Sequence, residues 1–361
     1  MKKKITPYRV VQPDAWRAKD FSKVLKLDWN EATIPPAPGV FSAISEELLN
    51  GNLNWYPNIK NDILYSKISF YTKIEEDYIE IFAGSDSLHE VITKSLVQEG
   101  DIISIVSPTY DNFRSTVELS GAFIDHFYLD DLFFLDFDKL SKRLYEIKPK
   151  ILYIVNPNNP TGNAHDFIRL SDLINKHSDV IFVIDEAYYE FYGYTFSNLV
   201  KTHDNLIICR TFSKAFALAS FRIGYTIASL KLIDSLRIHK NTKSVPQLAQ
   251  VAAVAALNNL TYTDKYVKDV SEAKYIFMAQ LINYDFIKYF PSDSNFILLK
   301  CLTKEIKIDL LNYFSKREIY VRDFIHLAGM DNFFRITIGR TCDMKQVIEA
   351  IKNFANENNL N

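Results

Sequence analysis

Five short apolar runs, each closed by a polar cluster, constrain this chain more than any other feature. Residues 78–82 lead into Ala83-Gly84-Ser85-Asp86, and 101–106 into Ser107-Pro108-Thr109-Tyr110. Residues 151–155 lead into Asn156, 180–184 into Asp185, and 206–209 into a stretch that holds Ser213 and Lys214. Runs this short read as buried strands. Segments of helical spacing lie between them, at 87–97 and 167–175. Strands alternating with helices at these intervals predict an α/β fold, a mainly parallel sheet with helices on both faces. Such sheets bind ligands at the carboxyl ends of their strands. The polar clusters fall at those ends.

The flanks read differently. The first forty residues are irregular, and Pro35-Pro36 favours an extended path. Helical spacing follows at 41–49 and 63–71. After about residue 245 helices dominate, at 249–257 and 264–281, with a last one at 344–353. Short strand candidates stand at 294–300, 320–322 and 334–338. The expected organisation is a large domain over 41–245 and a smaller α+β domain built from 1–40 and 246–361. No internal repeat, low-complexity tract or Gly/Ser linker interrupts the chain.

Composition narrows the function. The 361 residues are 48% hydrophobic, enough for a large core, and the net charge is −2. A balance so near neutral supplies no field for nucleic acid or an anionic membrane. The three cysteines, Cys209, Cys301 and Cys342, lie far apart, which fits a reducing compartment and no cysteine-rich metal site. The seven histidines are scattered and read as surface or core residues, so no metal is expected. No run is long enough for a membrane span, and the basic start MKKK is followed by no apolar signal region. The expectation is a cytoplasmic protein.

The polar clusters have a chemistry in common. A lysine beside a serine, Ser213-Lys214, with Arg222 eight positions on, suits a phosphorylated carbonyl compound. The amine forms an imine with the carbonyl, while hydroxyl and guanidinium hold the phosphate. Alone, the Ser-Lys pair is more simply a solvated loop. Gly84-Ser85-Asp86 opens a predicted helix, where free N–H groups and the dipole favour a phosphate; it is equally a plain N-cap. Asp185 follows an apolar run directly, so it sits at a strand end; elsewhere such a residue is an N-cap or a surface carboxylate. Asn156 to Gly162, NPNNPTG, is also a sequence for consecutive turns. Tyr110 is one of 21 tyrosines and reads by itself as core or rim.

Taken together and in order, these pieces resemble the pyridoxal phosphate (PLP)-dependent aminotransferases of fold type I, class I/II, and within them the histidinol-phosphate aminotransferases. The resemblance runs from Tyr8 to Arg340. Its most specific parts are NPNNPTG, Asp185-Glu186-Ala187-Tyr188, Thr211 to Phe216 continued by Arg222-Ile223-Gly224-Tyr225, and Phe334 to Gly339. It implies that Lys214 carries the cofactor and moves the proton between Cα and C4′. Asp185 would keep the pyridine nitrogen protonated so that the ring is an electron sink. Asn156 and Tyr188 would hold its phenolic oxygen, and Tyr110 would stack on the ring. Gly84, Ser85, Asp86, Ser213 and Arg222 would form the phosphate cup. Tyr56 would reach the phosphate of a neighbouring subunit, which implies a homodimer with shared sites. Arg335 would take a substrate carboxylate, and Asn30 would border the substrate. Tyr8 and Arg322 look like neighbours of the substrate's own phosphate; on residue type alone, Tyr8 is equally packing and Arg322 a surface partner of Asp323.

Four positions depart from the family pattern; none touches Lys214, Asp185, Asn156, Tyr188 or Arg335, and those at 32–33 and 340 bear on the substrate. Ala32-Thr33 replaces the family's early Asn-Pro, Ser87 an acidic residue, Ser220 a glycine, and Arg340 a threonine. The implied activity is transfer of an amino group between glutamate/2-oxoglutarate and a phosphate-bearing amine/ketone pair. Histidinol phosphate/imidazole-acetol phosphate is the first named pair. A smaller ketone, dihydroxyacetone phosphate or a surface-polysaccharide precursor, competes with it. Decarboxylation of a phosphorylated amino acid would use the same lysine, aspartate and phosphate contacts. A PLP-binding regulator would need a DNA-binding module, for which the family pattern from Tyr8 leaves no room.

Overall fold

The computed structural model describes residues 14–325, 327 and 329–360. Twelve strands form among them: β1 (Leu25–Leu27), β2 (Ile79–Phe82), β3 (Ile102–Ser107), β4 (Phe123–Tyr128), β5 (Ile151–Val155), β6 (Ile181–Asp185), β7 (Leu206–Thr211), β8 (Gly224–Ala228), β9 (Ile287–Tyr289), β10 (Phe296–Cys301), β11 (Ile319–Asp323) and β12 (Phe333–Thr337). The chain divides into two compact units. Among the described residues the first holds 36–159 and 164–263, and the second 14–35, 160–163 and 264–360.

The first unit is built on a seven-stranded sheet of order β2-β8-β7-β6-β5-β3-β4. Strands β3 to β7 run parallel, and β8 is antiparallel to both its neighbours. The apolar runs are continuous because both faces are covered. Alternate residues feed two separate cores. Leu152, Ile154, Phe182, Ile184, Leu206 and Ile208 point to one, with Leu140, Leu170 and Ala252 from helices Phe137–Ile147, Phe167–Lys176 and Gln247–Leu257. Tyr153, Val155, Val183, Ile207 and Cys209 point to the other, with Leu88, Phe113 and Leu236 from helices Gly84–Leu96, Asn112–Leu119 and Leu230–His239. Helices Phe137–Ile147 and Phe167–Lys176 start where Asp136 and Asp166 accept the N–H groups of Lys139 and Arg169.

The second unit carries a five-stranded sheet of order β1-β11-β12-β10-β9, with β1 parallel to β11 and the remaining pairs antiparallel. Its core includes Ile297, Leu299, Phe314, Phe334, Ile336 and Phe354. Half-buried Lys274 donates to the carbonyls of Ser292 and Ser294 at 2.6 and 2.8 Å.

Some elements are not among those expected from periodicity. Strand β4 is an edge strand whose outer positions are exposed, so its sequence, FIDHFY, lacks an apolar run. Strand β8 follows the Arg222 motif without a break and is visible only through its pairing with β2 and β7. The short β1 and β9 and helices Asn112–Leu119, Phe137–Ile147, Tyr189–Tyr192, Leu230–His239 and Lys304–Ser315 are likewise additions. No described helix is long and apolar enough to cross a membrane.

Candidate active site

Strand order gathers the polar clusters of the first unit along one sheet edge. Strands β7, β6, β5 and β3 are consecutive neighbours, and β3 pairs with β4 on one side and β5 on the other. The winding reverses there, which opens a crevice at the carboxyl ends. Strand β2 points the same way as β7, so Gly84 lies at that edge, and Arg222 just precedes β8 where it starts there. The ladder continues past the strand ends: Asn156 N–H donates to Asp185 O at 2.8 Å, and Glu186 N–H to Cys209 O at 2.9 Å.

Asp185 is 3% exposed. Its Oδ1 accepts the Ala187 N–H at 3.0 Å, and its Oδ2 accepts the Tyr153 hydroxyl at 3.2 Å. Burial, then the Asp185 charge, push the Tyr153 phenol far up, so it remains a donor. The same two causes raise the Cys209 thiol, in that order. His89 Nε2 stands 3.4 Å from the same Oδ2.

Asn156 is 1% exposed. Its Oδ1 accepts the His165 N–H at 2.8 Å, which fixes the carboxamide and leaves Nδ2 buried with no partner. Tyr188 is buried, and the Lys214 Nζ lies 5.9 Å from the centre of its ring. Thr211 Oγ1 accepts the Ser213 N–H at 3.1 Å and donates to Ser213 Oγ at 2.9 Å, setting the turn from β7 into Lys214.

At the start of helix Gly84–Leu96 no side chain caps the first turn, so its N–H groups remain available to an anion. Gly84 has φ +81°, and a Cβ there would lie 2.7 Å from the Arg222 guanidinium. Gly224 is equally tight, with its Cβ position 2.6 Å from Arg210 O. Asp86 lies in the first turn of the same helix. Its carboxylate accepts the Tyr110 hydroxyl at 3.0 Å and Arg222 Nη2 at 3.1 Å. Tyr110 and Arg222 are thereby held to one anchor.

Residues 22–352 match the family model described as aminotransferase class I and II. The chain belongs to that family. It is 45% identical to a dihydroxyacetone phosphate transaminase of Campylobacter jejuni, over 98% of this chain and 95% of that protein. It is 29% identical to a histidinol-phosphate aminotransferase of Methanocaldococcus jannaschii, over 91% and 88%. The fold is like that of a histidinol-phosphate aminotransferase from Sinorhizobium meliloti in complex with pyridoxal-5′-phosphate, with a TM-score of 0.84 and 22% identity over 92% and 91% of the two chains. It is a fold type I enzyme, and its cofactor is pyridoxal 5′-phosphate. The first unit fits that molecule. An orphaned buried donor, Asn156 Nδ2, faces no protein acceptor, and the glycine cradle at Gly84 admits nothing larger beneath Arg222.

The remaining expected residues are elsewhere. Tyr8 falls outside the described residues. Tyr56 is 78% exposed, with Lys243 Nζ 4.2 Å from its ring centre. Asn30, Arg322 and Arg335 belong to the second unit. Asn30 is buried at φ +56°; its N–H donates to Thr337 Oγ1 at 3.0 Å, and its carbonyl accepts Asn295 Nδ2 at 3.1 Å. Arg335 donates to Asp28 O at 2.7 Å. Arg322 and Arg335 are register partners on β11 and β12. Arg340 is turned onto its own helix, bound through Nε and Nη2 to Asp343 at 2.9 and 2.8 Å.

Sequence reasoning passed over Tyr153, His165 and His89. Tyr153 sits inside an apolar run and reads as core; only the sheet shows that its hydroxyl meets Asp185. His165 is 3% exposed, and burial pushes its imidazole down to about 4. The unfolded chain takes up a proton near pH 6.5 that the fold refuses until about pH 4. Stability should therefore fall as pH drops through that window, by up to about 3 kcal/mol. His165→Gln should flatten this part of the pH profile in urea unfolding; an unchanged slope would contradict a neutral buried ring.

Proposed function

We propose that this enzyme exchanges an amino group between glutamate/2-oxoglutarate and a small phosphorylated ketone, with dihydroxyacetone phosphate the first candidate. The 45% identity to a dihydroxyacetone phosphate transaminase, over nearly the whole of both chains, carries the reading. The pairing of Arg322 with Arg335 supports an anionic substrate. Histidinol phosphate/imidazole-acetol phosphate is the second reading, favoured by relatives at 29 and 30% identity.

When bound, the cofactor supplies an aldehyde to take the amino group and a ring to accept an electron pair. In this reading Lys214 holds it covalently, and its Nζ takes the proton from the substrate carbon that bears the amine. Asp185 faces the pyridine nitrogen, Asn156 and Tyr188 the phenolic oxygen, and Tyr110 the ring face. The first-turn N–H groups of Gly84, Ser85 and Asp86, with Ser213 and Arg222, take the phosphate. Arg335 takes the donor's α-carboxylate. Arg322, with Asn30 and Tyr8, meets the distal anion: the γ-carboxylate of glutamate in one half-reaction and the ketone phosphate in the other.

A large PLP-binding domain over 41–245 and a small domain from 1–40 and 246–361 are part of the same reading; the two compact units support it. So is a homodimer in which Tyr56 completes the neighbour's phosphate site. Exposed Phe41, Trp55, Tyr56, Ile63 and Phe70 support that surface. A cytoplasmic location accords with three free cysteines.

The test is spectroscopic. Glutamate should bleach the visible band of the loaded protein, and dihydroxyacetone phosphate should restore it faster than imidazole-acetol phosphate. The reverse order would establish the second reading. A band indifferent to glutamate, with carbon dioxide released from a phosphorylated amino acid, would replace transamination by decarboxylation. Arg222→Ala should weaken cofactor retention roughly tenfold to a hundredfold and change turnover of the saturated enzyme less. An unchanged cofactor Kd would mean that the phosphate lies elsewhere.

A further inference from the structure

His89 is a buried imidazole that none of the roles above uses. It lies in helix Gly84–Leu96, and its side chain is fully buried. The ring packs edge-on against Phe113 and Tyr153, each 5.5 Å away between centres, with Tyr110 at 6.4 Å. These come from three elements: helix Asn112–Leu119, β5 and the loop after β3. Only two atoms of the ring can exchange protons, and each has one polar neighbour. Nδ1 is 3.3 Å from Asn112 Nδ2. Nε2 is 3.4 Å from Asp185 Oδ2 and has no aligned hydrogen-bond acceptor.

Asn112 Nδ2 is a donor, so Nδ1 must accept, and a neutral ring then carries its proton on Nε2. Asp185 Oδ2, 3.4 Å away, is near that nitrogen but is not aligned with its N–H. A buried N–H without an acceptor is destabilising, and a small rotation of the carboxylate relieves it. The Asp185 carboxylate would then be held by three neutral donors: the Ala187 N–H on Oδ1, and the Tyr153 hydroxyl and His89 Nε2–H on Oδ2. Neutral donors fix a carboxylate in one rotamer and keep it an anion without cancelling its charge.

We propose that His89 is a positioning residue that donates Nε2–H to Asp185 and orients its carboxylate toward the pyridine nitrogen. The inference rests on the assignment of Asp185 to that nitrogen. It assigns to the helix that begins the phosphate cup a second task at the opposite end of the cofactor.

Two variants and one measurement on the cofactor-free protein test it. His89→Phe keeps the ring packing and removes the donor; His89→Gln keeps an N–H at the position of Nε2. Thermal melts of the cofactor-free proteins check that both fold. The glutamate half-reaction should slow about tenfold in His89→Phe, with KM for glutamate little changed, and should recover most of its rate in His89→Gln. The pH midpoint of the visible band should move up in the Phe variant alone, because a less firmly protonated pyridine withdraws fewer electrons. In wild-type cofactor-free protein, nitrogen-15 NMR should show His89 neutral and protonated on Nε2. Equal rates and band midpoints in wild type and His89→Phe, or a ring protonated on Nδ1, would overturn the proposal. If His89→Phe does not fold, the NMR tautomer and the Gln variant decide. Failure of wild-type protein to show a visible band with added pyridoxal phosphate, or full activity in Asp185→Asn, would instead remove the Asp185 assignment beneath it.

Discussion

Lys214→Ala is expected to abolish turnover, with loss of at least about 10⁴-fold in kcat/KM, or about 5.5 kcal/mol of transition-state stabilisation. Two functions leave with one amine. The cofactor loses its covalent anchor, and the substrate carbon loses the base that takes its proton. Nothing nearby replaces it: the adjacent Ser213 hydroxyl is engaged with Thr211 Oγ1, and Tyr188 presents its ring to Nζ. The protein should still fold, because the Lys214 side chain is not part of either core of the first unit. It should also still bind pyridoxal phosphate, through the cup at Gly84 and Arg222, without the visible band of the loaded enzyme. Absorption spectra and half-reaction rates with glutamate check this together. Retained turnover would refute the assignment of the lysine.

Asp185→Asn should produce the second-largest loss, about 10²- to 10³-fold in kcat, while cofactor Kd changes less. The asymmetry follows from position. In the proposed reading the phosphate would be gripped at Gly84 and Arg222, whereas Asp185 would act on the electronic state of the ring. Asparagine keeps the shape and an acceptor for Tyr153 but removes the negative charge. Asp185→Ala is the harsher variant, because it also leaves the Tyr153 hydroxyl buried without an acceptor, at about 1–3 kcal/mol. Comparing the two in stopped-flow half-reactions and in thermal melts separates charge from packing. Near-normal turnover in Asp185→Asn would show that the ring nitrogen meets another group.

The site was legible in the chain to the extent that local signals coincide with strand ends. Asn156, Asp185 and Lys214 each follow an apolar run, and burial on both faces of a parallel sheet makes such runs continuous. Period-two alternation within a run is invisible when both faces are apolar, so nothing in ILYIV or IFVID shows which residues share a face. That is why Tyr153 reads as core although its hydroxyl meets Asp185, and why His89 reads as an ordinary buried histidine. Strand β4 was hidden for the opposite reason: an edge position exposes half its side chains and leaves no apolar run to detect.

Local chemistry in the chain therefore determined the α/β class and the turn residues at the strand ends. Each of these depends on residues within a few positions of one another, where spacing alone decides face and turn. Register and pairing were decided by the tertiary structure alone. Residues 89 and 185 meet because helix Gly84–Leu96 packs on the face of the sheet that β6 shares with β5. Arg322 opposes Arg335 because β11 and β12 pair antiparallel in one particular register, and a slip of one residue would have sent their side chains to opposite faces. Long-range pairing of this kind is set by the whole buried surface at once, and no window of sequence contains it.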